Sequence, residues 1–206
     1  MTENANRVDE AHRKELLRFL LVKTAAVRRG VKPGELLRVR HCYEGVNAEG
    51  LRVCLYRSDI YGMLGLDYVE LTVEEKSSLV LFYNPHVLAG TLAEPRNARW
   101  LTRMGYPPAA SLHDLLAHLV RRAGRCDLPH EVGIFIGYPL KDVAGFISRL
   151  PATPVHHGAW RVYGSAAESV ARMTLYRNAE IDARAVFDAS EGIGDFIDRL
   201  SLKRAG

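Results

Sequence analysis

The chain has 206 residues, 48% of them hydrophobic and 25% charged, with a formal net charge of +4. This is enough chain for one sizeable core and an ordinary globular composition, which excludes low complexity and bulk disorder. The basic clusters at Arg28, Arg29 and Lys32, at Arg38 and Arg40, and at Arg121, Arg122 and Arg125 are scattered, and no aromatic stripe or recognisable module accompanies them, so nucleic acid is disfavoured as a partner.

Residues 1–8 read as a disordered polar tail and 9–206 as a single globular domain. Glu10 to Arg29 carries helical periodicity through Leu16, Leu17, Leu20 and Leu21, and Gly30, Pro33 and Gly34 stop it. Its apolar run Leu16–Val22 is broken by Arg18 and is too short to span a bilayer. The N-terminus has no secretory pattern, so a cytoplasmic protein without membrane contact is expected. Glu35–Cys42 predicts a short strand and Leu51–Arg57 another. Asp67–Val73 and Ser77–Tyr83 predict two strands of a hairpin turning at Glu74, Glu75 and Lys76. Asn84 and Pro85 open a helix as N-cap and first helical residue. Pro95–Met104 predicts a further helix, and Ser111 with Asp114 forms a capping box for one through Arg122.

Val132–Tyr138 is an unbroken apolar run, which predicts a central strand covered on both faces. Pro139 then starts a helix to about Arg149, Ala159–Tyr163 predicts a short strand, and Ser165 with Glu168 a capping box opening a helix through Val186. A last amphipathic segment spans Ile193–Leu200. Strand, helix and strand over residues 132–163 predict a parallel βαβ unit. The expected fold is α/β or α+β: a single mixed sheet with a C-terminal βαβ unit and helices packed on it.

Three cysteines, Cys42, Cys54 and Cys126, are odd in number and contain no CxxC, so they are expected to be unpaired and to hold no metal. Phosphate-loop, nucleophile-elbow and zinc-protease spacings are absent from the sequence. What remains is a rim. In the predicted unit, Gly137, Tyr138, Tyr163, Gly164 and Ser165 fall at the C-terminal ends of parallel strands beside two helix N-termini, where free N–H groups favour a small anionic ligand or cofactor. His130 and Glu131 form the alternative, an acid–base pair of an enzyme. With the strand extended, about 23 Å would separate His130 from Tyr138. His156 and His157 are adjacent histidines that on an extended chain point apart, making them weak metal ligands.

The segment Pro129 to Ile147, with His130, Glu131, Gly137, Tyr138 and Pro139, resembles the signature of a bacterial family, domain of unknown function 3793. Gly158 to Gly164, with Trp160 and Tyr163, is similar to its second signature, and Ser78 to Asn84 and Gly30 to Lys32 to earlier blocks. The resemblance implies no established activity. It also implies cysteines near the places here held by Thr24, His156, His157 and Ala159, so this chain departs from any thiolate chemistry of its relatives. The expected function is a soluble binding or accessory protein with a small anionic ligand at the rim. The alternatives are the His130–Glu131 enzyme and a protein-interaction module without a small-molecule site. No particular cofactor is indicated.

Overall fold

The computed structural model describes residues 14–40, 45–46, 52–53, 57–124, 128–148 and 154–202. The expected tail at 1–8 and the three cysteines Cys42, Cys54 and Cys126 lie outside these residues. Helix α1 covers residues 14–23, and after a turn at Thr24 the short helix α2 (Ala25–Arg28) continues it. Thr24 is buried and donates its hydroxyl to the Leu20 carbonyl at 2.7 Å, so its polar atom is satisfied within the helix.

The sheet forms from β1 (Gly34–Arg40), β4 (Asp67–Val73) and β5 (Ser77–Tyr83), in the order β1-β5-β4 and antiparallel throughout. The short strands β2 (Gly45–Val46) and β3 (Arg52–Val53) pair separately, and α3 (Arg57–Gly62) precedes the hairpin. β5 is covered on both faces, and its alternation divides the core. Leu81 faces one cluster with α4 (Pro85–Ala93), α5 (Pro95–Arg103) and α6 (Leu112–Ala123), through Leu88, Leu92, Leu101, Leu116 and Leu119. Val80 and Phe82 face a second, with Leu17, Leu20 and Leu21 of α1, Ile60 and Tyr61 of α3, and Val186 and Phe196. The caps form as their residues dictate. The Asn84 side chain accepts from the amides of His86 and Val87, and both halves of the Ser111–Asp114 box are present.

Residues 132–138 depart from the expected strand. Val132–Phe135 is a single buried helical turn, α7, so among the described residues there is no βαβ unit and no parallel pair. Two bonds that close its C-terminal end run from the Gly137 amide to the Ile134 carbonyl (3.1 Å) and from the Tyr138 amide to the Gly133 carbonyl (2.8 Å). That pattern reverses the chain through a residue with positive φ, and Gly137 sits at φ +85°. A Cβ there would stand 2.6 Å from the Tyr176 hydroxyl and 2.7 Å from Pro33. The run is buried, as its composition demands, but a short apolar run fits a buried turn as well as a buried strand.

Helix α8 (Leu140–Ile147) follows Pro139 as expected. The strand expected at Ala159–Tyr163 reduces to β7 (Arg161–Val162), paired antiparallel with β6 (His156–His157) rather than parallel to residues 132–138. The long α9 (Ala167–Asp188) has Ala166 at its N-cap with no side-chain cap bond, so the expected Ser165–Glu168 box does not form; Glu168 instead pairs with Arg172. The chain's described part closes with α10 (Ile193–Leu202). A third cluster packs Val22, Ala25 and Ala26 against Trp160, Val162, Tyr176, Ala179 and Ala183. Among the described residues, no helix is long and apolar enough to cross a membrane.

Candidate functional site: a cleft between α7, α8 and β7

The α7 turn sets the geometry of the site. A helical residue advances about 1.5 Å against about 3.3 Å in a strand, so His130 and Tyr138 are not held at opposite ends of a sheet. Both line one cleft of about 440 Å³, together with Leu36, Val132, Ile136 and Val143, Phe146 and Leu128, Ala159, Trp160 and Arg161, and the carboxylates of Glu35 and Asp142. Tyr138 folds back over Gly133, where an added Cβ would meet its ring at 3.2 Å. It stacks on Trp160 with ring centroids 4.2 Å apart and planes 23° off parallel.

The Trp160 ring is held at its N–H edge by Asp142, whose carboxylate accepts four hydrogen bonds. These come from the Trp160 Nε1–H (2.8 Å), the Ser169 hydroxyl (2.6 Å), the Tyr163 amide (2.9 Å) and the Lys141 ammonium (2.7 Å). Burial works to raise its pKa, but Lys141, Ser169, the Tyr163 amide and Trp160 outweigh it and hold the carboxyl below its ordinary value. With four donors the group is saturated, and it ties α8, β7 and α9 together. Lys141 also donates to the Tyr163 carbonyl (3.0 Å) and to Ser169 (2.8 Å).

Glu35 is the other carboxylate of the cleft wall. Its Oε2 accepts from the Lys32 ammonium at 2.6 Å, in a pair whose side chains are 16% and 9% exposed. Burial raises its pKa, and the neighbouring Lys32 only partly offsets the rise. Tyr138 is pushed up to about 12, chiefly by its own burial and then by Glu35. At the lip, the exposed His130 ring meets Phe146 edge-on at 4.8 Å, and the Arg161 guanidinium lies 5.7 Å from the centre of the same ring. Neither His130 nor Arg161 has a carboxylate partner among the described residues.

The remaining expected site residues are distributed differently. Glu131 is 1% exposed and turns inward, forming an ion pair with Arg122 and accepting from the Tyr106 hydroxyl at 3.3 Å. His130 and Glu131 therefore face opposite sides of the chain. The Gly137 carbonyl accepts from Arg172 and from the Tyr176 hydroxyl, both at 3.1 Å, anchoring α7 to α9. Tyr163 contributes its backbone to the Asp142 network, while Gly164 and Ser165 are exposed and do not line the cleft. His156 and His157 are exposed on β6, and the described residues contain no group of three or more His, Cys, Asp or Glu that could hold a metal ion. A second, polar cavity of about 280 Å³ shares Tyr138 and lies between Arg96, Lys141, Glu168 and Arg172. A third, of about 400 Å³ between α4, α5 and α6, is lined mostly by alanine and leucine with Thr102 and Tyr106.

Sequence reasoning missed Glu35, Phe146, Ala159 and Arg161 because the cleft assembles segments far apart in the chain. The signal that bore on α7 was the pair Gly133 and Gly137, since glycine weakens a strand interior and suits a helix stop.

The order of these elements and the sequence behind them define a class by family rather than by activity. Residues 20–196 match the model of the family described as Protein of unknown function (DUF3793), and the chain belongs to that family. No curated protein and no solved structure matches it.

Proposed function

We propose that the protein binds a small anionic molecule with a flat apolar body in the cleft between α7, α8 and β7. The observation that carries this reading is the placement of Arg161 and His130, which have no carboxylate partner among the described residues, around Phe146 at the lip of a cleft walled by the Tyr138–Trp160 stack. Binding pockets are mostly apolar with a few convergent polar groups, and at about 440 Å³ this one suits a bicyclic ring with a short acidic arm. An anion at the lip would take the guanidinium, and the ring would cover Val132, Ile136 and Val143. The polar cavity beside Arg96 and Arg172 is a poorer candidate, because Glu168 already pairs with Arg172 there. With His130 exposed and Glu131 buried against Arg122 and Tyr106, these two residues do not work as one acid–base pair.

Native mass spectrometry of the gently purified protein would reveal a copurified small molecule. Calorimetry with 1-naphthaleneacetate supplies the direct test. Binding is expected, weakened about tenfold by Arg161→Ala, in line with a lost charged hydrogen bond. Ala159→Phe, which fills the cleft from an exposed position, is expected to abolish binding without lowering the melting temperature. Equal affinity in all three proteins, or no binding at millimolar concentration, overturns the proposal.

A further inference from the structure

The cleft holds two carboxylates in unequal states. Asp142 accepts from four donors. Glu35, equally part of the wall, accepts from one, Lys32. A carboxylate offers about four lone-pair sites, so Asp142 is full and Glu35 is not. The Lys32 ammonium is itself committed, lying 5.0 Å from the centre of the Tyr176 ring while it holds Oε2. Among the described residues no donor reaches Glu35 Oε1. A carboxylate only 16% exposed, with one oxygen not engaged by a described donor, gains from a hydrogen bond delivered by a ligand, and a ligand that covers it without a donor leaves it worse off than in the empty cleft.

We infer that Glu35 selects the ligand by accepting a hydrogen bond from an N–H on its flat body, so that the cleft prefers N-heteroaromatic acids to carbocyclic or sulfur-containing acids of the same shape. The inference rests on the binding proposal and deepens it. Glu35 also orients the ligand: an anionic arm is repelled from the Glu35 end and drawn to Arg161 and His130 at the lip, while the N–H is turned inward. Each polar group then has one role. Arg161 supplies affinity for the charge, Glu35 discriminates between rings of equal size, and Asp142 holds the aromatic wall.

The matched probes are indole-3-acetate and benzothiophene-3-acetate, which have the same shape but differ in the ring N–H. Calorimetry at neutral pH is expected to give a preference of tenfold or more for the indole, the range of a hydrogen bond to a charged group. Glu35→Gln, which keeps a carbonyl acceptor, should retain part of that preference. Glu35→Leu should remove it, with benzothiophene-3-acetate binding undiminished. The double variant Lys32→Met with Glu35→Leu removes both members of the buried pair and covers the case in which the single variant does not fold. Equal binding of the two probes to the wild type, with both weakened by Arg161→Ala, overturns this inference and leaves the cleft proposal standing. Failure of both probes to bind overturns both.

Discussion

Trp160 donates its indole N–H to Asp142 at 2.8 Å, and the same ring lies stacked on Tyr138. The carboxylate thus sets the orientation of an aromatic wall with which it shares a cleft. Replacing Asp142 with Asn removes the charge facing Lys141 and places an amide N–H₂ among donors. A loss of about 2–4 kcal/mol is expected in urea unfolding, together with a red shift of tryptophan emission as Trp160 loosens.

The pH dependence of that loss has a definite sign. The Asp142 carboxyl is held below its ordinary value in the folded protein, so in acid the unfolded chain takes up its proton first. Its contribution is complete above the ordinary carboxylate pKa of about 3.9 and disappears as pH falls through the depressed value. Urea melts of wild type and Asp142→Asn should therefore converge on acidification. A constant gap down to pH 2 would contradict the network.

Gly137 and Gly62 provide a paired test of the α7 turn. Gly137→Ala must accept φ +85° and a Cβ crowded by Tyr176 and Pro33, so a cost of about 3 kcal/mol or more is expected. Gly62→Ala, at the end of α3 with nothing within 4 Å of the new Cβ, should be neutral or stabilising by up to about 1 kcal/mol. Equal effects of the two substitutions in chemical denaturation would remove the case for the turn.

His130 and Glu131 are neighbours in sequence with opposite surroundings. Glu131→Ala removes a buried acceptor of Tyr106 and the ion-pair partner of Arg122, and should cost about 2 kcal/mol, less than a fully buried pair because Arg122 is 35% exposed. His130→Ala should leave stability within about 0.5 kcal/mol of wild type while weakening 1-naphthaleneacetate binding. An acid–base pair acting together would give matched effects on both measurements instead.

Phe135 and Ile134 are fully buried in α7. Phe135→Ala should cost about 3–5 kcal/mol and Ile134→Ala about 2–5, by lost burial and the cavity left behind. An unchanged melting temperature for either would show that the turn does not pack as described.

Elements whose boundaries are fixed by local chemistry were legible in the sequence. The hairpin strands β4 and β5 match their expected limits residue for residue, and Asn84 and Ser111 cap the helices that they were expected to open. Legibility failed where the deciding bond is short-range and made by the backbone alone. An apolar run between Pro129 and Pro139 fits a strand by composition, and only the positive φ of Gly137 shows that it turns. Ser165 failed as a cap because α9 begins at Ala167 with Ala166 at its N-cap, and Glu168 of its first turn pairs forward with Arg172. Within the site, Tyr138 stands out in the sequence beside Gly137 and Pro139, but nothing local marks Trp160 as the ring that stacks on it. Glu35 could not be joined to them, because about a hundred residues of chain lie between and only the folded packing closes that distance.

The α7 turn is buried from Val132 to Phe135, and Gly133 and Gly137 leave no room for larger side chains. This is a constraint of shape. Of the positions that would choose a ligand, Phe146 on α8, Ala159, and Arg161 of β7 stand within the segments 129–147 and 158–164, while Glu35 stands on β1, about a hundred residues earlier in the chain. A relative that keeps both segments and changes the residue at the place of Glu35 would keep the aromatic wall and the cation at the lip and lose the inward acceptor, so its choice of ring would have to be read from the sheet rather than from the signatures.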